Sequence, residues 1–223
     1  GRENLVGVLL FVFVKAKHSL NTSRVKTETA RTGFRGTLGN KGGVTVRMQF
    51  YDSTICFVCS HLAAQRDNVH GRNFDYHSIL GKTAFSGEYE TEWEFRGLSQ
   101  QKYFNESFNN QSTPTYGILD HDIVFWMGDL NYRIAVFVPT EEVFKKLGTK
   151  QGLEYLRECD QLTIERKKTY DGAFYEFKEG ITDFYPTYKY EINRDEYDRR
   201  RAPAWCDRIL WRTQDDENDE VQL

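Results

Sequence analysis

The sequence predicts an α/β domain, and three observations carry that reading. Runs rich in Val, Ile and Phe at 5–14, 44–50, 54–60 and 123–129 end in polar or glycine-rich turns and suit strands. Residues 67–80, 140–147 and 153–162 carry the apolar spacing and end signals of helices. A chain of 223 residues that is 39% apolar can also supply a single core of its own.

In chain order, 5–14 reads as a strand covered on both faces, so the chain starts inside a sheet. A polar, hairpin-like excursion follows. The segment TGFRGTLGNKGG at 32–43 reads as a glycine-rich turn that carries Asn40 and Lys41. Strands 44–50 and 54–60 are joined by a short turn at 51–53, and the second ends at His61. Helix 67–80 precedes 81–120, a polar, aromatic-spotted stretch read as a long surface insertion. Strand 123–129 runs into Asp129 and Asn131. Thr140, followed by Glu141 and Glu142, reads as the N-cap of the next helix, and 153–162 as one further helix. The acidic QDDENDE near the end reads as a solvated tail. No internal repeat is present.

Charge excludes some partners. With 30 basic and 33 acidic side chains the net charge is −3, so bulk charge supplies no affinity for nucleic acid and any polyanion needs a local patch. Four cysteines without regular spacing, and no secretory leader pattern, point to a reducing, cytoplasmic setting. Cys56 and Cys59 lie three apart in a strand, on opposite faces, and read as core residues instead of half a zinc site. The longest apolar run, 5–14, is about half the length a bilayer-spanning helix needs, so no transmembrane segment is expected.

Chemistry concentrates where strands end. Strand 54–60 ends at His61, strand 123–129 at Asp129 with Asn131 two residues on, and WCDRILW sets Asp207 and Arg208 before an apolar run. Taken singly, Asp129 and Asn131 read as an Asx-type turn, and a lone His beside a strand as a structural residue. Together the three ends offer a carboxylate base, an imidazole, an amide donor and a guanidinium, which is an inventory for phosphoryl transfer.

The segments GTLGNKGGVTVR, CSHLAA, WMGDLNYRI and RAPAWCDRILW, in that order, resemble the signature segments of the inositol polyphosphate 5-phosphatases. LFVFVKAKH and FVCSHLAA look closest to the synaptojanin type, while GDLNYR and WCDR occur across the type II group. The resemblance spans 5–211. It implies a deoxyribonuclease I-like four-layer α/β sandwich, with two packed, mostly antiparallel sheets flanked by helices. It also implies Mg²⁺-dependent removal of the 5-phosphate from phosphatidylinositol 4,5-bisphosphate and related inositol phosphates.

Residue by residue, the resemblance assigns Asp129 to the attacking water, Asn131 to the scissile phosphate and His61 to a non-bridging oxygen. Asp207 joins the metal and phosphate network, Arg208 holds its loop, and Asn40 and Lys41 are further phosphate contacts. Tyr188, Lys189, Arg199 and Arg201 correspond to the group that holds the 4-phosphate. Partners are then a phosphoinositide headgroup at a membrane surface or a soluble inositol phosphate, not nucleic acid. The setting is cytoplasmic and peripheral to membranes, as a monomeric domain of a larger protein. The family's main metal-binding Glu would lie upstream of residue 1, and its Ser-Asp-His segment occurs nowhere in the chain. The expectation is therefore one catalytic domain over 1–223 without its first and last strands. Two other readings stay open: a nuclease of the same superfamily, and an inactive lipid-binding module.

Overall fold

Six strands share one mixed sheet in a computed structural model, which describes residues 5, 7–33, 38–87, 115–168 and 172–214. The strands are β1 (Thr22–Thr32), β2 (Leu38–Phe50), β3 (Ser53–His61), β6 (Ile123–Asp129), β7 (Lys178–Glu179) and β8 (Asp207–Thr213). Their order is β1-β2-β3-β6-β8-β7, with β3 and β6 parallel and every other neighbour pair antiparallel. Two short strands, β4 (Phe85–Ser86) and β5 (Thr115–Tyr116), pair separately. The helices are α1 (Val69–Lys82), α2 (Thr140–Lys146), α3 (Lys150–Glu158) and α4 (Gln161–Arg166). The α/β expectation is met.

Period-two alternation fixes which face is core. In β3, Cys56, Val58 and Ser60 are buried, while Ile55, Phe57, Cys59 and His61 are half-buried on the other face. In β6, Val124 and Trp126 point the same way as Cys56 and Val58 into a core closed by Tyr76 and Ile79 of α1 with Phe174, Phe177 and Leu210. Trp126 packs on Tyr76 and Phe174 at 5.0 and 5.2 Å between ring centroids, and its indole N–H donates to Ser60 Oγ at 2.9 Å. Burying each such ring contributes about 1.5–3 kcal/mol. A second cluster, with Ile134, Val143, Leu156 and Trp205, lies against α2 and α3. On the opposite face of the sheet Phe57 and Phe125 stack at 5.5 Å.

Several expectations need correction. Residues 8–15 carry no strand assignment, and Leu9, Phe11 and Phe13 are largely exposed, so 5–14 is not a strand covered on both faces. Its composition suits a strand, but no described strand pairs with it. Residues 38–43 belong to β2, which places Asn40 and Lys41 in a strand and not on a turn; 34–37 lie outside the described residues. The flanks of the 81–120 stretch are core, since Phe85 and Ile118 are fully buried; 88–114 lie outside the described residues, as does the acidic segment at 215–223.

Pro139, not Thr140, occupies the N-cap of α2, and Thr140 instead accepts a hydrogen bond from Arg66. The single helix expected at 153–162 is two, because Asp160 stops one and caps the next by accepting the Thr163 N–H at 2.9 Å. No helix among the described residues is long and apolar enough to cross a membrane.

Candidate active site

Four strands bring one residue each to a common level of the sheet. The ladders pair Gly42 with His61, His61 with Asp129, and Asp129 with Asp207. Residues opposite one another in a ladder face the same side, so His61, Asp129 and Asp207 form a file of side chains across β3, β6 and β8. Two glycines let neighbouring backbones approach closely beside it. Gly42 has φ +141, and a Cβ there would lie 2.0 Å from the Ala30 carbonyl oxygen; Gly128 has φ +128, and a Cβ would lie 2.1 Å from the Ser60 oxygen. Only glycine tolerates both the dihedral and the approach.

Polar contacts tie the file together. His61 Nε2 lies 3.4 Å from Asp129 Oδ2 and contacts Lys41 Nζ. Asp207 is exposed, and its Oδ2 accepts the Thr187 hydroxyl at 2.6 Å. Burial pushes the Asp129 carboxyl above the ordinary range; His61 opposes that shift and Asp207 adds to it. Burial, and then Lys41, holds His61 below its usual value in spite of both carboxylates. Burial also lowers Lys41, against Asp129 and Asp75. Desolvation therefore outweighs ion pairing at all three groups, although the His61 and Asp129 side chains keep 30% and 38% of their surface exposed.

Asn131 sits at φ +57 behind Asp129 and is buried. Its N–H donates to Asp129 Oδ1 at 3.1 Å, an Asx-type turn, and its side-chain Nδ2 donates to the Leu62 carbonyl at 3.0 Å. The structural reading of this pair is therefore realised, and it fixes Asp129 relative to the end of β3. Arg133 donates from Nη2 to Asn131 Oδ1 at 2.6 Å, and its guanidinium lies 3.8 Å from the centroid of the Tyr188 ring. The Tyr188 hydroxyl accepts from Arg201 Nη1 at 2.8 Å. A continuous line of contacts thus runs from the file to the arginine-rich loop.

Other sequence-derived candidates are placed differently. Arg208 follows Asp207 in β8, so alternation turns it to the other face of the sheet. It is buried there, donating to both oxygens of Glu179 and, at 2.9 Å, to Asp160 Oδ2. Burial alone would lower its pKa, but the two carboxylates outweigh that and raise it. Its donors are committed to these partners, so it is not a substrate-binding residue. The Arg199 guanidinium lies 4.7 Å from the Phe144 ring centroid, in a hollow of about 450 Å³ that Lys145 also lines. Lys189 is half-buried and its carbonyl accepts the Asp198 N–H at 2.8 Å, while Asn40 is exposed in β2.

Arg133 and Thr187 were not singled out from the sequence. Arg133 stands four residues past Asp129 in an apolar stretch, where a buried charge needs a reason. Nothing local marks Thr187.

A hard divalent cation suits an oxygen-rich, thiolate-free site. The exposed carboxylate of Asp207 fits as one ligand. No group of three or more His, Cys, Asp or Glu among the described residues could hold a metal ion, so these residues supply only part of a coordination shell.

The whole chain, 1–223, matches the model of Endonuclease/Exonuclease/phosphatase family 2. It is 38% identical over 213 residues to a type II inositol 1,4,5-trisphosphate 5-phosphatase of Mus musculus, covering 93% of this chain and 19% of that protein. It is 40% identical over 214 residues to synaptojanin-1 of Homo sapiens, covering 94% and 12%. Its fold matches a crystal structure of the inositol polyphosphate 5-phosphatase domain of a synaptojanin with inositol (1,4)-bisphosphate and a calcium ion. That match has a TM-score of 0.68 and 33% identity, over 89% of this chain and 49% of the other. The chain thus spans 12% to 19% of these curated relatives and about half of the solved domain. The match meets the expectation of a deoxyribonuclease I-like fold.

Proposed function

This chain belongs to the endonuclease/exonuclease/phosphatase family 2, and from that membership we propose that it forms the catalytic part of a phosphoinositide 5-phosphatase. The reaction is Mg²⁺-dependent hydrolysis of the 5-phosphate of phosphatidylinositol 4,5-bisphosphate and of related inositol phosphates. The substrate is met at a membrane surface or free in the cytoplasm, by a monomeric domain of a larger protein peripheral to the membrane. One observation carries the reading: the file of His61, Asp129 and Asp207 is joined through Asn131, Arg133 and Tyr188 to Arg201.

In this reading Asp129, held by the Asx turn, orients the attacking water and takes its proton. Water forms the new bond to phosphorus as the bond from phosphorus to the ring oxygen breaks, and that oxygen leaves with the inositol ring and takes a proton from solvent. His61, with Lys41 against it, faces a non-bridging oxygen and offsets the charge that develops there. Thr187 fixes one oxygen of Asp207, and Asp207 is the residue here that would help to hold a cation. That cation, when bound, compensates charge on the phosphoryl group. Tyr188, Lys189 and Arg201 receive the neighbouring 4-phosphate, for which Arg offers a planar, two-pronged donor. The full-length protein is expected to release phosphate from the 5-position in Mg²⁺ and to lose that activity with chelator. Equal rates with chelator would sink the metal dependence, and release from the 4-position would sink the substrate assignment.

Specificity has a separate readout. A charge-assisted contact to the 4-phosphate contributes roughly 1.5–3 kcal/mol. Lys189→Ala or Arg201→Ala is then expected to lower kcat/KM on 4,5-bisphosphate substrates by about 10-fold to 100-fold, with far less change on a substrate lacking the 4-phosphate. DNA hydrolysis serves as the third assay. Equal losses on both inositol substrates would mean that these residues support the fold or the scissile phosphate, and comparable turnover of DNA would favour a nuclease.

A further inference from the structure

Resting on the function proposed above, we infer that Arg133 is a positioning residue for substrate specificity: it fixes the Tyr188 ring, and through it Arg201, relative to the turn that holds Asp129. The Arg133 backbone is clamped on both sides. Its N–H donates to Gln161 Oε1 at 2.8 Å and its carbonyl accepts the Gln161 N–H at 2.8 Å, while Gln161 Oε1 also accepts from Arg72 at 2.6 Å.

The side chain, 7% exposed, divides its guanidinium between two loops. Its edge donates to Asn131, from Nε to the carbonyl at 3.1 Å and from Nη2 to Oδ1 at 2.6 Å. Its flat face covers Tyr188 at 3.8 Å. Lysine cannot do both, because its ammonium has neither a planar edge nor a stacking face. Tyr188 is further held by backbone bonds of 3.1 and 2.9 Å to Ala204, three residues before Asp207, and its hydroxyl receives Arg201.

These partners of Arg133 are all neutral. A buried cation with no counter-ion among the described residues is costly, so the position would favour an apolar or smaller side chain if it only filled space. An anion bound between the Asp129 turn and Arg201 would lessen that cost. Arg133 therefore sets the separation between the place where the 5-phosphate reacts and the guanidinium that grips the 4-phosphate.

The test is the selectivity ratio, kcat/KM with the 4-phosphate divided by kcat/KM without it, for the full-length protein. Arg133→Lys is expected to lower the ratio about tenfold, mostly through KM on the 4-phosphorylated substrate. Combined with Arg201→Ala it should lower the ratio no further than Arg201→Ala alone. A purely structural Arg133 would reduce both substrates equally and leave the ratio unchanged, and additive losses would mean that Arg133 does not act through Arg201; either overturns the inference. If Arg133→Lys does not fold, Tyr188→Phe and Tyr188→Leu decide. Both remove the hydroxyl that receives Arg201, so each should lower the ratio about as far as Arg201→Ala does, and a ratio unchanged in both would overturn it. No turnover of either substrate by the wild-type protein would overturn the proposed function itself, whereas wild-type turnover with an unaltered ratio in the variants overturns this inference alone.

Discussion

Asp129→Asn is expected to lower kcat by at least about 100-fold with little change in KM. The substitution isolates charge from shape. An asparagine keeps an oxygen to accept the Asn131 N–H, so the turn after β6 is preserved, and its Nδ2 can still face His61. What disappears is the anion that lies 3.4 Å from the imidazole and would receive a proton from water. An interaction made mainly in the transition state lowers kcat and kcat/KM together, which is the pattern to look for in steady-state kinetics. Unaltered rates with a lower melting temperature would show that Asp129 only closes the turn.

The largest effect on stability is expected at Arg208. Arg208→Met keeps much of the volume but removes the cation bonded to Asp160, which is 1% exposed, while Glu179 retains Arg166 at 3.1 Å. Removing one partner of a buried ion pair typically costs about 3–5 kcal/mol, because the remaining charge stays buried without compensation. Asp160 also caps α4 through the same oxygen that receives Arg208, so the loss should reach the start of that helix. Urea unfolding of wild type and variant measures it, and KM of the folded fraction should be nearly unchanged. A raised KM without loss of stability would instead place Arg208 at the substrate.

Asp207 and Arg208 also mark what a sequence can and cannot convey here. The apolar run after them identifies the strand, and strand ends identify His61 and Asp129 as well. Yet adjacent residues in a strand face opposite sides, and sequence alone does not say which of the two faces the site. Arg133 was illegible for another reason: its role exists only because the loop at Tyr188, far along the chain, returns beneath it. The break at Asp160 was hidden because one capping oxygen interrupts an otherwise continuous helical pattern. The 5–14 run shows the limit of composition, since strand-forming residues need a ladder partner and periodicity names none.

Because His61, Asp129 and Asp207 hang from hydrogen-bonded strands at one level, their spacing is set by the separation of neighbouring strands, about 4.7–4.9 Å. Chain length within β3, β6 and β8 is therefore constrained more tightly than side-chain identity. Losing one residue inside β6 would either turn Asp129 toward the core or slide it out of line with His61 and Asp207. Changes of residue can accumulate along these strands one at a time, but changes in their length cannot. Variation in length belongs to the connections between them.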